Sequence, residues 1–272
     1  MPSVWSIWPG NTGGRDATSI VVARAVSWRP KILFPVGMGS FGARCAGYGL
    51  CVWLLRLPGV YRPQADTWLL AKALREAGIR PGAKVLDLGA GCGALAVEAA
   101  AAGAGDVTAV DRSRRAVLCA AVNAGIRGLP VRTLRGDLLE QREQGPFDVV
   151  LANPPYVPCA ADMDVETTAQ RAWNAGIDGR KFLDPLCANA ASLLTRGGSL
   201  LMVHSALCGT ARTLSALRRS GLKAAVVARA MEPFGPVLRE RAGYLAERGL
   251  ISPGENFEEL VVIRADRVER PW

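Results

Sequence analysis

The stretch KVLDLGAGCGALAVEAAAAG, Lys84 to Gly103, decides the fold. Lys84 to Leu88 is an apolar run of strand length. Gly89, Gly91 and Gly93 then stand at alternate positions, and an alanine-rich helix follows, closed by Gly103. Glycine lets a backbone turn sharply and pass close to another group, because no Cβ restricts its angles. A strand that enters a helix through such a turn is half of a strand–helix–strand unit.

The same alternation continues downstream. DVTAVD (106–111) reads as a strand and SRRAVLCAAVNAG (113–125) as a helix that Ser113 can cap. VRTLRGD (131–137) and FDVVLAN (147–153) are further strands. GRKFLDPLCANAASLLTRGG (179–198) is largely helical, with Pro185 tolerated only if the helix begins near Asp184 or kinks there. SLLMVH (199–204), LKAAVVAR (222–229) and ELVVIRAD (259–266) complete seven strands, with the helix TARTLSALRRSG (210–221) between the first two of these. Upstream, Asp66 and Thr67 can cap TWLLAKALREAG, which places Trp68, Leu69, Ala73 and Leu74 on one face. We therefore expect an α/β fold: a seven-stranded, mostly parallel Rossmann-like sheet with helices on both faces. No convincing helix separates the last two strands, so they are expected to form an antiparallel pair at one edge. The connection 232–258 reads as a loop that touches a partner or as a disordered excursion.

Residues 1–58 lack any sustained period and are expected to be an irregular or disordered leader, with the domain proper at 59–272. The formal charge is +9, but residues 1–60 hold six basic side chains and one acid, so the remainder is only mildly basic. That permits a nucleic-acid partner without requiring one. Cys45 to Leu55, the longest uncharged run near the start, falls short of the roughly 20 residues that span a bilayer. Seven cysteines without a C-x-x-C pair, and a single histidine, His204, make a structural metal site unexpected. His204 reads as a strand-end residue rather than a general base. These features lead us to expect a cytoplasmic protein with no membrane contact.

In an open parallel sheet, ligands bind beyond the carboxyl ends of the strands, at the point where strand order reverses. Three successive strands meet this rim with an acid: Asp87 before the glycines, Asp111 some 20 residues on, and Asp137. An acid beside the glycines would repel a pyrophosphate and suits a cationic ligand. An acid at Asp111 can take ribose hydroxyls. After the fourth strand comes Asn153-Pro154-Pro155-Tyr156. Proline has no N–H and pushes its predecessor out of the helical region, so this segment leaves the strand extended and stiff.

Together, DLGAGCG, AVDRS, RGDLL and NPPY resemble the class I S-adenosylmethionine-dependent methyltransferases, and more narrowly the HemK/PrmC-type protein glutamine methyltransferases. YRPQADTWLL (61–70) and AWNAGIDGRKFLD (172–184) match further segments of that family, so the likeness runs from Leu57 to Asp266. The resemblance implies that Thr67 helps hold the methionine end of S-adenosyl-L-methionine. It implies that Asp87 and Gly89, Gly91 and Gly93 wrap that end and accept from its ammonium. Asp111 would take both ribose hydroxyls, and Asp137 with the Leu138 backbone the adenine edge. Asn153 and Pro154 would hold the acceptor amino group near the cofactor's methyl, with Pro155 fixing the carbonyl before it and Tyr156 facing the planar group.

The implied acceptor is the glutamine of a Gly-Gly-Gln loop in a translation release factor. Residues 1–58 show no helical period, so the chain resembles the short form of the family, without the helical N-terminal domain. Two alternatives stay open on the residues alone: an adenine amino methyltransferase acting on tRNA, rRNA or DNA, and a non-catalytic cofactor-binding module. Whether an activating subunit is needed is left open.

Overall fold

The computed structural model describes residues 53–137, 145–160 and 170–268. The expectation for the leader therefore lies outside the described residues as far as position 52, and so does Leu138. The elements are α1 (Ala65–Ala77), β1 (Lys84–Leu88), α2 (Ala94–Ala101), β2 (Asp106–Asp111), α3 (Arg114–Gly125), β3 (Val131–Arg135) and β4 (Phe147–Ala152). They continue as α4 (Leu183–Leu193), β5 (Leu194–Ser205), α5 (Thr210–Arg219), β6 (Lys223–Pro233), α6 (Pro236–Glu240), α7 (Ala242–Glu247) and β7 (Phe257–Asp266).

All seven strands form one sheet in the order β3-β2-β1-β4-β5-β7-β6. The first five pair in parallel, with Val85 opposite Val107 on one side and Val149 on the other. β1 is buried along nearly its whole length, which is why its sequence is a continuous apolar run rather than an alternation. β6 alternates exposed residues with buried or half-buried ones, as an edge strand with one wet face should. Helices flank the sheet in two groups: α1, α2 and α3 contact one another in series, and α4 packs on α5. Phe147, Leu86, Leu151, Leu200 and Met202 lie fully buried in the core between them.

β6 and β7 form the expected antiparallel pair at one edge of the sheet; β7 also pairs antiparallel with β5 and lies between β5 and β6, so β6 is the edge strand. Two details differ from the sequence reading. Helix α1 begins at Ala65 after Gln64, whose side chain makes no capping bond. Asp66 and Thr67 thus lie inside the first turn. The connection between β6 and β7 is folded. It holds the short helices α6 and α7 around a small core of Phe234, Leu238, Leu245 and Ile251. These helices are too short for periodicity to reveal them, and Pro236 at the start of α6 reads equally well as a loop residue.

The chain builds β1, β2 and β3 outward and then returns to place β4 on the other side of β1. The order reverses there, which opens a crevice beyond the carboxyl ends of β1 and β4.

Candidate active site

A cavity of about 660 Å³ occupies that crevice, within the size range of small-molecule sites. Thr67, Gly89, Gly91, Asp111, Asp137 and the whole segment Asn153–Tyr156 border it. Asp87 and Gly93 do not.

Asp87 is buried beneath the glycine turn, where Oδ2 accepts from the Ala96 backbone N–H at 2.9 Å and Oδ1 has no partner. Burial pushes its carboxyl up from 3.8 to about 7. Gly93 has φ +84, and a Cβ added there would stand 2.9 Å from the Ala120 backbone, so this glycine serves helix packing. Gly91 differs. At φ +56 an added Cβ would meet no atom within 4 Å, so the turn leaves open space beside the cavity.

The Asp87 carboxyl has a consequence for stability. Its folded pKa lies above the unfolded value, so its contribution is complete below about pH 4 and is lost as pH rises towards 7. Without cofactor, Asp87→Asn should gain roughly 3 kcal/mol on the wild type between pH 5 and pH 8. Urea unfolding at the two pH values measures this, and an unchanged difference would show that Asp87 ionises freely in the fold.

Asp111 is fixed by two backbone donors: Gly91 N–H to Oδ2 at 2.9 Å and Ser113 N–H to Oδ1 at 2.8 Å. An ionised carboxylate accepts at about four sites, so one further lone pair on each oxygen stays available. A pair of hydroxyls on adjacent carbons matches it. Asn123, fully buried on α3, ties the turn to the chain before α1: Nδ2 donates to the Cys92 and Leu55 carbonyls, and Oδ1 accepts from Leu55 N–H.

At the other end of the cavity, Asp66 on α1 is the organising group. Oδ2 accepts from the Tyr61 hydroxyl at 2.8 Å and the Tyr156 hydroxyl at 3.1 Å, and Oδ1 accepts from Thr67 Oγ1 at 3.1 Å. Thr67 Oγ1 in turn accepts from Asn153 Nδ2 at 3.1 Å. This relay sets the orientation of the Asn153 amide. One N–H of the amide is spent on Thr67, and Oδ1 is left as the acceptor. The sequence reading assigned Asp66 only a capping role; its content as a hub requires knowing that Tyr61 and Tyr156 converge on it.

The exit from Tyr156 is stitched down by the segment that follows. Val157 N–H donates to the Trp173 carbonyl at 2.8 Å and Ala175 N–H to the Val157 carbonyl at 3.0 Å. Arg241, at the junction of α6 and α7, donates to the Pro158 carbonyl and to Asn174 Oδ1. The buried Arg180 guanidinium bonds Asp184, Thr213 and the Cys208 carbonyl, and Cys208 Sγ donates to the Tyr156 carbonyl at 3.1 Å. The lone histidine takes no part in the cavity: burial lowers His204 to about 4, and Nδ1 bonds the Ser205 carbonyl. Among the described residues no group of His, Cys, Asp or Glu is arranged to hold a metal ion, and no helix is long and apolar enough to cross a membrane.

Residues 52–230 match the family described as the methyltransferase small domain, and the chain belongs to that family. A Methanocaldococcus jannaschii protein, provisionally named as a protein N5-glutamine methyltransferase, is 33% identical over 177 residues, 65% of this chain and 88% of that one. The release factor glutamine methyltransferase of Deinococcus radiodurans is 42% identical over 148 residues, 53% of this chain. The chain spans about half of that relative's length, 52%. Among solved structures, the E. cuniculi Mtq2–Trm112 complex, described as responsible for methylation of the eRF1 termination factor, superimposes with a TM-score of 0.52 at 22% identity. The match covers 77% of this chain and 99% of the other. That likeness bears on the fold. The enzyme is an S-adenosylmethionine-dependent methyltransferase, and the crevice fits its cofactor: a held carboxylate for a diol at one end, an open glycine turn between, and an amide acceptor at the other.

Proposed function

We propose that the chain transfers a methyl group to the side-chain nitrogen of a glutamine, in the Gly-Gly-Gln loop of a translation release factor, in the cytoplasm where such factors work. The observation that carries this reading is the Asn153 amide held through Thr67 to Asp66, with Oδ1 left to accept from a donor in the cavity. The names of the relatives support the choice of glutamine.

Bound S-adenosylmethionine supplies an electrophilic methyl on a sulfonium. Asp111 would hold the ribose hydroxyls on the lone pairs that Gly91 and Ser113 leave open. Asp137, which borders the cavity, would recognise the adenine edge, and Gly89 and Gly91, which border it too, would let the backbone approach the methionine end. Asp87 then acts from below, holding the start of α2 through Ala96 N–H so that the turn keeps its shape. An amide nitrogen is a weak nucleophile because its lone pair is delocalised. Asn153 Oδ1 and the Pro154 carbonyl accept its two N–H groups, orient the lone pair and draw charge onto nitrogen. Pro155 locks the preceding carbonyl, and the Tyr156 ring, held by Asp66, gives the planar amide a flat wall. The work is orientation and fixed dipoles, effects worth several kcal/mol in enzymes.

Transfer of labelled methyl to purified release factor, tRNA and DNA offered together tests the reading. Label on the factor, abolished by replacing the loop glutamine with alanine, is the expected result. Label confined to nucleic acid would overturn it in favour of an adenine acceptor.

A further inference from the structure

Methylation of an amide nitrogen creates a proton that must go somewhere. The nitrogen lone pair forms the new N–C bond, the methyl–sulfur pair leaves with sulfur, and the nitrogen then sheds one of its two N–H protons. Asn153 Oδ1 and the Pro154 carbonyl can hold those hydrogens but are far too weakly basic to keep one.

Glu258, at the start of β7, borders the same cavity. Its Oε2 is buried and without a hydrogen-bond partner. Among the described residues the other buried carboxyl oxygen in that condition is Asp87 Oδ1, which does not border the cavity. Asp66 is saturated by two tyrosine hydroxyls and Thr67, so it has little left to offer. The surroundings place Glu258 at the acceptor end and not at the ribose end. The charges that act on it are Asp66 of α1 and Glu232 of β6, which stands directly opposite it in the β6–β7 ladder. Ser205 of β5 donates a hydrogen bond to it, and it acts on Tyr61 and Tyr156 in turn.

We propose that Glu258 is the base of the reaction: its carboxylate receives the proton released by the glutamine nitrogen as the methyl arrives and passes it to solvent through the cavity mouth. This deepens the glutamine reading above and rests on it. Burial first, then the facing carboxylates of Asp66 and Glu232, raise the Glu258 carboxyl from 4.5 to about 7 against the opposing Ser205 bond, which poises it to exchange a proton near neutrality.

The base must be ionised, so kcat for wild-type enzyme should climb with pH below about 7 and level off above it. Glu258→Gln should lose about a hundredfold in kcat, the low end for general base catalysis, and with it the inflexion. Cofactor affinity by calorimetry should not change. Glu258→Asp, which keeps a carboxyl, should recover part of the rate and the inflexion, and it decides the matter if the glutamine variant does not fold. Apart from turnover, ¹³C NMR of carboxyl-labelled glutamate should show one resonance titrating near 7 in the wild type and none there in Glu258→Gln. A wild-type kcat that is flat across neutrality, or a glutamine variant with wild-type kcat, would overturn the assignment. Wild-type enzyme that labels no glutamine at all would instead sink the acceptor reading, with the NMR titration still reporting whether Glu258 holds a proton near pH 7.

Discussion

Replacing Asn153 with alanine should lower kcat by about 10²–10³-fold, the usual loss for one fixed dipole aimed at a reacting centre, while affinity for S-adenosylmethionine is retained. The cause is the relay behind the residue. The Thr67 hydroxyl donates to Asp66 Oδ1, which leaves Thr67 Oγ1 to accept, and Asn153 Nδ2 donates to it. The amide is thereby aligned before substrate arrives, and little reorganisation is left for the transition state. Alanine removes the acceptor and leaves the Thr67 hydroxyl as the cavity wall. Asp111→Ala should show the reverse division, with weaker cofactor binding and a smaller effect on turnover at saturation, because Asp111 lies at the far end of the crevice on the Gly91 turn. Steady-state kinetics with calorimetry separates the two. If Asn153→Ala lost cofactor affinity in proportion to rate, its place would be at the cofactor and not at the acceptor.

The second large effect is expected at Gly179. This residue has φ +71, and an added Cβ would lie 2.3 Å from the Tyr156 carbonyl oxygen and 2.7 Å from Cys208 Sγ. No real Cβ tolerates such distances, so Gly179→Ala must either push Tyr156 out of place or break the Cys208 bond to its carbonyl. Overpacking and positive-φ strain together should cost about 3 kcal/mol. For a domain of this size that lowers Tm by roughly 6–12 °C, and the surviving fold should turn over slowly because Asn153–Tyr156 has moved. Gly176→Ala is the control. It has a similar φ of +77, but its nearest contact is Lys181 Cβ at 3.8 Å, so it carries strain without collision. Equal losses in the two variants, read by calorimetric melting, would mean that the contact with Tyr156 is unimportant.

The pair shows where the sequence was readable and where it was not. Strand ends and the glycine turn were legible because local periodicity marks them: β1 and α2 lie where KVLDLGAGCGALAVEAAAAG places them. Asn153–Tyr156 was legible because two prolines after a buried strand admit few backbone paths. By contrast, nothing local tells Gly89 and Gly91, which border the cavity, from Gly93, which meets Ala120. Nor does local sequence show that Arg180 reaches across to Thr213 and Cys208. These two partners of Arg180 stand 28 and 33 positions away along the chain. Glu258 was hidden for a related reason: the sequence reading puts it at the end of the connection 232–258, where a charged residue reads as solvent-facing. The insertion of β7 between β5 and β6 was equally hidden, because the pattern of burial along a strand identifies its wet face but not its neighbour.

That insertion bears on how the enzyme comes into being. β7 is the last strand among the described residues yet fills an interior slot, so during synthesis β5 and β6 must wait with a ladder each unsatisfied until Phe257–Asp266 has cleared the ribosomal tunnel. Pairings this distant along the chain form late and slowly. Because β7 also delivers Glu258, a nascent chain arrested before this point would already hold the Asn153 relay and the Asp111 turn yet lack the carboxylate, and the last strand to emerge would complete the sheet and the catalyst in one step.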